Sequence, residues 1–346
     1  SKKLNYDFPW QKYAQIVGRD YVSGAMENTT AVIHEESAQQ KAGDLADENK
    51  WEDVIAHELF HHWFGDLVTA ESWSNLTVNE SFADYSEYLW NEYKYGKDEA
   101  DYKRLKSLRN SKADPRNFGK DLVRFNYESR EDMFDGVSYN KGGGILHMLR
   151  NYLGDDAFFA GLSDYLKTNE YGTGEAHQLR LSLEKVSGKD LNWFFNQWYF
   201  GKGYPKLEVK STFDPMKKQV TVNVAQTQEE KFEFPLSIDV LENGKISRKE
   251  VWVTAKAKND FVFDVTKNPE LINANPEGLL LSDIKQDKTP EQLFLQYTTA
   301  KDLYSKYTAI EEAKDQVSKN PFADKLYAAA LKDKFYRNRL LALEGL

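Results

Sequence analysis

The chain has 346 residues, of which 40% are hydrophobic, and a formal net charge of −9. The acidic balance, without a long basic run, argues against nucleic acid and anionic membranes as partners. The chain holds no cysteine, which excludes disulfides and thiolate metal sites. No apolar run reaches the roughly 20 residues of a membrane span, so no transmembrane segment is predicted. The length predicts roughly two or three domains, while compartment and oligomeric state stay open.

The first 34 residues alternate short apolar stretches with turn residues. This pattern predicts a strand, a glycine-containing kink and a second strand. The kink holds the segment Gly24-Ala25-Met26-Glu27-Asn28. A polar loop is predicted at 35–49, where Asp47 or Asn49 has a side chain suited to cap the next helix.

The next stretch predicts a helix from Trp51 to Phe64 that ends at Gly65. It carries His57 and His61, whose spacing places both imidazoles on one helix face, within reach of one metal ion. Glu58 points to the flank of that face. There it can take a proton from a metal-bound water without being a ligand.

A catalytic zinc site uses about three protein ligands and leaves one position open. A second helix, predicted from Val78 to Tyr95, carries the candidate third ligand, Glu80. Glu71 and Glu87 lie nearby and remain rivals. Asp84, one turn beyond Glu80, either accepts the outer N–H of a ligating histidine or is a surface aspartate.

The hydrophobic period divides the rest of the chain. Residues 96–135 are highly charged and predict helix and loop at the surface, and helices punctuated by glycine are predicted across 139–200. From 207 to 284 the period is two, typical of a small antiparallel β-sandwich. A linker at 286–290 leads to a helical pattern at 291–346, whose last leucines have no following segment to pack against.

Two separate motifs carry a family resemblance. The first is His-Glu-x-x-His, eighteen further residues and a Glu, matched by His57, His61 and Glu80. The second, Gly-Ala-Met-Glu-Asn, stands upstream at 24–28. Together they resemble the M1 family of zinc aminopeptidases, the gluzincins that include aminopeptidase N and leukotriene A4 hydrolase. The resemblance covers residues 1–205, and the later segments follow the family's domain order.

The resemblance implies a role for each matched residue of the metal site. His57, His61 and Glu80 would hold one Zn²⁺ per chain. Glu58 would activate the water and then pass the proton to the leaving amine. Glu27 would bind the α-ammonium group of a peptide substrate with a free amino terminus, so that one residue is removed at a time.

Further matched residues would contact the substrate. Gly24 and Ala25, with Met26 and Asn28 beside them, would present backbone to the peptide as an edge strand does. Tyr139 stands in a Tyr-x-Lys-Gly pattern of the family. Its phenol would stabilise the oxyanion that develops on the scissile carbonyl.

The fold implied is α+β. It comprises a thermolysin-like, mostly helical catalytic domain at 1–204, an antiparallel β-sandwich at 205–285 and the beginning of an α-helical domain at 290–346. The family also has an N-terminal β-domain and a larger helical domain. We therefore expect a fragment or processed form, and the missing initiator Met agrees with this expectation.

Three positions depart from the family pattern. His62 stands where the family usually has glutamine, Ser81 where it has glycine, and Asp66 where asparagine is common. His62 is expected to pack or to support the ligands. An inactive or weakly active metal-binding fragment serving as an interaction scaffold, or an epoxide-hydrolase-type relative, stays as an alternative. Glu27 argues against an endopeptidase, and Glu58 argues against an inactive scaffold.

Overall fold

The computed structural model describes residues 1–46, 48–117 and 119–346. The helix cap predicted at Asp47 lies outside the described residues, and the alternative prediction, Asn49, is wrong. The residue that caps α1 is Trp51, without a side-chain capping bond, and the Asn49 side-chain oxygen accepts a hydrogen bond from the Trp51 amide at 3.2 Å. The described residues form two compact units, Ser1–Gly203 and Tyr204–Leu346. Their eleven α-helices and several sheets make a mixed α/β architecture. None of these helices is long and apolar enough to cross a membrane.

A small sheet opens the first unit and positions Glu27. Its strands are β1 (Ala14–Gly18), β2 (Ala25–Met26) and β3 (Ala31–Glu35). They lie in the order β1-β3-β2, with β1 parallel and β2 antiparallel to β3. Strand β2 is short because the chain turns back at Asn28, whose carbonyl accepts the amide of Ala31 at 2.8 Å. Glu27 therefore leaves the sheet where this turn begins.

The helix that carries the two motif histidines is shorter than its sequence pattern predicts. Helix α1 spans Glu52–Phe60 and does not reach residue 64, because the chain folds back into strand β4 (Val68–Ala70). Gly65 permits this return. Its φ is +145°, and a Cβ there would lie 3.1 Å from Nδ1 of His61.

Six further helices complete the first unit: α2 (Thr77–Tyr95), α3 (Lys97–Ala113), α4 (Gly142–Leu153), α5 (Asp155–Asn169), α6 (Ala176–Ser187) and α7 (Asn192–Trp198). Strand β5 (Gly172–Gly174) pairs in parallel with β4. A π-helical turn, Val137–Lys141, precedes α4 where an ordinary helix start was predicted. Helix α3 buries Ala100 and Leu105, so the charged segment predicted for the surface also contributes to the core.

Helix α2 lies at the centre of this unit, packed against α1, α3 and α4. Its contact with α4 is close because α4 begins with glycines. A Cβ on Gly142 would lie 1.8 Å from the Ser81 hydroxyl, and one on Gly143 would lie 2.2 Å from Oδ2 of Asp84. This packing brings the π-helical turn next to the part of α2 that carries Glu80.

Seven strands begin the second unit: β6 (Lys206–Asp214), β7 (Gln219–Gln226), β8 (Phe234–Glu242), β9 (Lys245–Val253), β10 (Lys258–Asp264), β11 (Leu271–Ala274) and β12 (Asp283–Lys285). They form one sheet in the order β10-β7-β6-β12 and another in the order β11-β8-β9. Burial alternates along β7, where Val220, Val222 and Val224 are buried. The pairing is antiparallel except between β12 and β6. This parallel pair departs from the predicted pattern because the chain crosses between sheets after β11.

Four helices follow the strands: α8 (Pro290–Thr299), α9 (Leu303–Ala313), α10 (Pro321–Ala330) and α11 (Tyr336–Glu344). The predicted linker ends in a helix cap, because the Thr289 hydroxyl accepts the amide of Gln292 at 3.2 Å. The helices share a buried core that includes Leu293, Ile310 and Leu326. Of the last leucines, Leu340, Leu343 and Leu346 are exposed, whereas Leu341 packs against this core.

Candidate metal centre

Two imidazoles and one carboxylate converge inside the first unit. His57 and His61 belong to α1 and its end, and Glu80 belongs to α2. Oε2 of Glu80 lies 3.4 Å from Nε2 of His57 and 3.3 Å from Nε2 of His61. The three candidate ligand atoms lie within 4.8 Å of one another, and all three residues are buried. The fold thus brings together residues that are separated by up to 23 positions in the sequence.

The outer nitrogens of both imidazoles have hydrogen-bond partners. Nδ1 of His61 lies 2.9 Å from the carbonyl oxygen of Phe64, and Nδ1 of His57 lies 3.0 Å from Oε1 of Glu87. A carbonyl oxygen only accepts, so Nδ1 of His61 donates, and in the neutral ring Nε2 then presents a lone pair. Nδ1 of His57 likewise donates to the carboxylate oxygen of Glu87, which leaves its Nε2 as the acceptor in the neutral ring. In that state two lone pairs face the Glu80 carboxylate, an arrangement that needs either a proton or a metal ion between them.

The pKa values of His61 and Glu80 reflect how close these side chains are to one another. Burial alone would lower the pKa of His61, but the Glu80 carboxylate raises it to about 9. Burial would raise the pKa of Glu80, yet His61 and His57 hold it far below its usual range. Oε2 of Glu80 is buried and makes no hydrogen bond within the described residues. Two imidazole nitrogens and one carboxylate oxygen that converge in this way are a donor set that fits Zn²⁺.

The structure corrects the role predicted for Asp84. Its Oδ1 accepts the side-chain amide of Asn140 at 2.9 Å, while the outer nitrogens of both histidines bond to other groups. Glu87, one turn further along α2, reaches Nδ1 of His57 instead. Burial, reinforced by the charge of Glu87, raises the pKa of Asp84 above its usual range. The rival Glu71 lines the cavity beside the site but is outside the converging group.

Glu58 lies beside the three converging residues. Its carboxylate forms a second close cluster with Glu27 and His61, in which the candidate ligand atoms lie within 4.8 Å of one another. Burial raises the pKa of Glu58 to about 7, although the charges of the neighbouring imidazoles lower it. A carboxyl group with a pKa near neutrality both accepts and returns a proton readily, as a general base requires.

The segment around Glu27 forms one wall of the adjoining cavity. Strand β2 is an outer strand of its sheet, and Gly24, Ala25, Met26 and Glu27 all line the cavity. A Cβ on Gly24 would meet no described atom within 4 Å, so nothing in the described chain requires glycine there. Asn28 does not line the cavity with them, because it forms the turn into β3.

Tyr139 lies against one of the two converging imidazoles. Its ring stacks on the imidazole of His57, with the centroids 5.8 Å apart and the planes at 10°. Burial, together with the charge of Glu80 and a hydrogen bond to it, raises the pKa of Tyr139 far above its usual range. The phenol therefore keeps its proton at neutral pH and remains a hydrogen-bond donor.

Asp135 holds the π-helical turn that carries this tyrosine. Its Oδ1 accepts the backbone amides of Val137 at 3.0 Å and Ser138 at 3.1 Å. Its Oδ2 accepts hydrogen bonds from the ammonium group of Lys120 at 2.6 Å and from the guanidinium group of Arg124 at 2.8 Å. The sequence does not point to Asp135, because its partners lie both before and after it in a segment without a clear helical or strand period.

The cavity has a volume of about 1370 Å³ and is lined by each predicted site residue except Asn28. Trp73, Tyr127, Arg130 and Phe134 also line it, and none of them was predicted. The rings of Trp73 and Phe134 lie 5.9 Å apart, and the guanidinium of Arg130 lies 5.8 Å from the Trp73 ring. Tyr127 and Phe134, two aromatic residues within the charged stretch 96–135, were the signal that could have identified this part of the wall.

Comparisons with known proteins point to one family. The family model described as "Peptidase family M1 domain" matches residues 1–198. Aminopeptidase M1 of Arabidopsis thaliana is 32% identical over 216 residues, which cover 59% of this chain and 24% of that protein. Aminopeptidase N of Canis lupus familiaris is 27% identical over 331 residues, which cover 83% of this chain and 32% of that protein. The chain thus spans between 24% and 32% of the length of these relatives.

A solved structure shows the same fold. The crystal structure of Legionella pneumophila aminopeptidase A in complex with aspartic acid aligns with a TM-score of 0.80 at 20% identity. The alignment covers 96% of this chain and 40% of that protein. At this identity the likeness concerns the fold alone.

Proposed function

Because this chain belongs to peptidase family M1, we propose that it acts as a zinc-dependent aminopeptidase that removes the first residue of peptides with a free amino terminus. The observation that carries the proposal is the convergence of His57, His61 and Glu80, which are buried and whose candidate ligand atoms lie within 4.8 Å of one another. Glu27 and Glu58 stand directly beside it. A metal and the two carboxylates are the groups that hydrolysis and recognition of an amine need.

The proposed mechanism assigns one task to each residue. Zinc, held by His57, His61 and Glu80, would supply a Lewis acid for the scissile carbonyl and a lowered pKa for the attacking water. Glu58 takes a proton from that water as the water oxygen bonds to the carbonyl carbon. It then donates the proton to the nitrogen as the C–N bond breaks.

Two residues orient the substrate and its developing charge. The Glu27 carboxylate forms an ion pair with the α-ammonium group of the substrate. Because Glu27 and Glu58 lie so close together, this ion pair places the first peptide bond, and no later one, beside Glu58. The protonated phenol of Tyr139 donates a hydrogen bond to the oxyanion as the carbonyl becomes tetrahedral.

We also propose the domain organisation that the family resemblance implies. Residues 1–204 form a thermolysin-like catalytic domain, 205–285 an antiparallel β-sandwich and 290–346 the first helices of a helical domain. The division of the described chain after Gly203 supports the first boundary. The strand and helix composition of the later residues supports the other two.

The test combines metal analysis with aminoacyl fluorogenic substrates. We expect one zinc per chain, and Glu58→Gln should abolish hydrolysis while the zinc content is unchanged. Glu71→Gln is the matched control, since Glu71 lines the same cavity but is outside the converging group. Full activity of Glu58→Gln would refute the mechanism. Stoichiometric zinc without activity, in this chain and in a form extended at its amino end, would support a metal-binding scaffold.

A further inference from the structure

The histidine that follows the metal-binding pair has its own hydrogen-bond partners. His62 is completely buried. Its Nδ1 lies 3.2 Å from the carbonyl oxygen of Glu58, which only accepts, so Nδ1 carries the proton. Its Nε2 is then an acceptor, and the backbone amide of Thr30 donates to it at 3.0 Å. The imidazole therefore bridges helix α1 and the turn that follows Glu27.

That turn is strained. Thr30 has a φ of +66°, a left-handed conformation that a β-branched residue rarely adopts. The turn is closed by the hydrogen bond from the Ala31 amide to the Asn28 carbonyl, and the Thr30 carbonyl accepts the amide of Ala14 at 3.0 Å. Such a conformation persists only where the surroundings impose it. The bond to His62 is one of the contacts that impose it.

The imidazole is held on several sides. The ring centroids of Phe8 and Tyr13 lie 5.4 Å and 5.3 Å from it, and the indole of Trp10 donates to the His62 carbonyl at 3.1 Å. Asp66 Oδ2 lies 3.9 Å from Nε2, too far for a hydrogen bond. The acceptor that faces Thr30 is therefore fixed by packing and by the bond at Nδ1.

We propose that His62 is a positioning residue for Glu27: by holding the Thr30 turn against α1, it sets the Glu27 carboxylate beside Glu58 and the metal site. This inference rests on the proposed role of Glu27 in binding the substrate amine. The candidate ligand atoms of Glu27, Glu58 and His61 lie within 4.8 Å of one another, and Glu27 is three residues before the clamped amide. A shift of the turn would move Glu27 while leaving the zinc ligands in place.

The test measures recognition of the amine separately from zinc binding. Two hydroxamates are compared as inhibitors of the zinc-loaded protein, leucine hydroxamate and its analogue without the α-amine. The ratio of their inhibition constants reports the contribution of the amine. We expect His62→Leu to reduce this ratio by about 10- to 100-fold, while the affinity for the amine-free compound and the zinc content stay unchanged.

Conservative and control variants separate positioning from general destabilisation. His62→Gln, whose amide oxygen can accept from Thr30, should keep most of the ratio. His62→Asn, which is too short to reach, should lose it, and this variant serves if His62→Leu does not fold. His177→Leu is the control because His177 is exposed on α6. A ratio unchanged in folded His62→Leu or His62→Asn would overturn the inference.

A double-variant cycle distinguishes this inference from the proposed function. Glu27→Ala alone should abolish most of the amine contribution, and His62→Leu should add little in that background. If Glu27→Ala leaves the ratio unchanged, the amine-binding role itself is wrong. If Glu27→Ala reduces the ratio and His62→Leu does not, only the positioning role of His62 is overturned.

Discussion

Nδ1 of His57 lies 3.0 Å from Oε1 of Glu87, seven residues after the proposed metal ligand Glu80 on the same helix. Seven residues are about two helical turns, so both carboxylates point toward the same imidazole from one face of α2. Glu80 faces its inner nitrogen, and Glu87 bonds to its outer nitrogen. The outer bond orients the ring and makes Nε2 the free ligand atom.

Removing this outer bond should weaken zinc binding. Glu87→Ala leaves the His57 ring free to rotate and to change tautomer, and we expect the dissociation constant for zinc to rise by about 10- to 100-fold. Glu87→Gln keeps an acceptor oxygen, so its dissociation constant for zinc should lie between those of the parent protein and Glu87→Ala. Competition with a coloured chelator measures the constant. Glu71→Ala, another cavity carboxylate, should leave it unchanged, and an equal loss in both variants would refute the orienting role.

Zinc affinity should increase with pH across the interval set by the histidines. The metal-free protein raises the pKa of His61 from 6.5 to about 9, because the effect of Glu80 outweighs that of burial, and it also raises the pKa of His57. Zinc must displace these protons, so affinity should rise by up to about tenfold per displaced proton per pH unit.

The stability of the metal-free protein should follow the opposite trend. A raised folded-state pKa gives stability that is fully present below 6.5 and is lost as the pH rises through about 9. Denaturant unfolding after chelation, and chelator-buffered zinc titration over the same interval, test both trends. A zinc dissociation constant that does not change with pH would contradict the raised pKa values.

Loss of Asp135 should impair catalysis through Tyr139. Asp135→Ala removes the acceptor for two amides of the π-helical turn, and we expect kcat to fall by about 10- to 100-fold with zinc content unchanged. Tyr139→Phe should cost about 10²- to 10³-fold as the loss of one oxyanion donor. Because both act on one group, the double variant should be little worse than Tyr139→Phe. Additive losses would contradict the link. Asp114→Ala, which breaks an ion pair with Arg116 outside the π-helical turn, is the control.

Acid should destabilise the first unit through His147. Its Nδ1 lies 3.1 Å from the Tyr85 hydroxyl, and burial, with the charge of Arg104 next in effect, lowers the pKa of His147 well below 6.5. A depressed folded-state pKa gives stability that is present above 6.5 and is lost as the pH falls below it. The slope from this one residue is at most about 1.4 kcal/mol per pH unit.

The variant His147→Phe should flatten the acid side of the stability curve. Urea unfolding measured at several pH values below 6.5 gives this slope. His177→Phe, on an exposed position, should leave the slope of the parent protein unchanged. If His147→Phe keeps the parent slope, other groups account for the acid sensitivity.

Much of the architecture followed from local patterns. The membership in peptidase family M1 predicted from two motifs is confirmed by the match over residues 1–198. The period of two at 207–284 predicted strands, and the four-residue spacing of His57 and His61 predicted two imidazoles on one helix face, now seen with centroids 4.9 Å apart. Such patterns are readable because helix and strand geometry repeat at fixed spacings along the chain.

The partners of these side chains depended on segments far apart in sequence. The sequence left two alternatives for Asp84, the outer partner of a ligating histidine or a surface aspartate. In the structure its carboxylate accepts a hydrogen bond from Asn140, 56 positions away, and Glu87 bonds to His57. The bond between His62 and Thr30 likewise spans 32 positions. The sequence by itself determined the family, most of the elements and the residues that carry the proposed chemistry. Only the tertiary structure decided which neighbour orients each of them, because hydrogen bonds between distant segments follow from packing and leave no periodic signal.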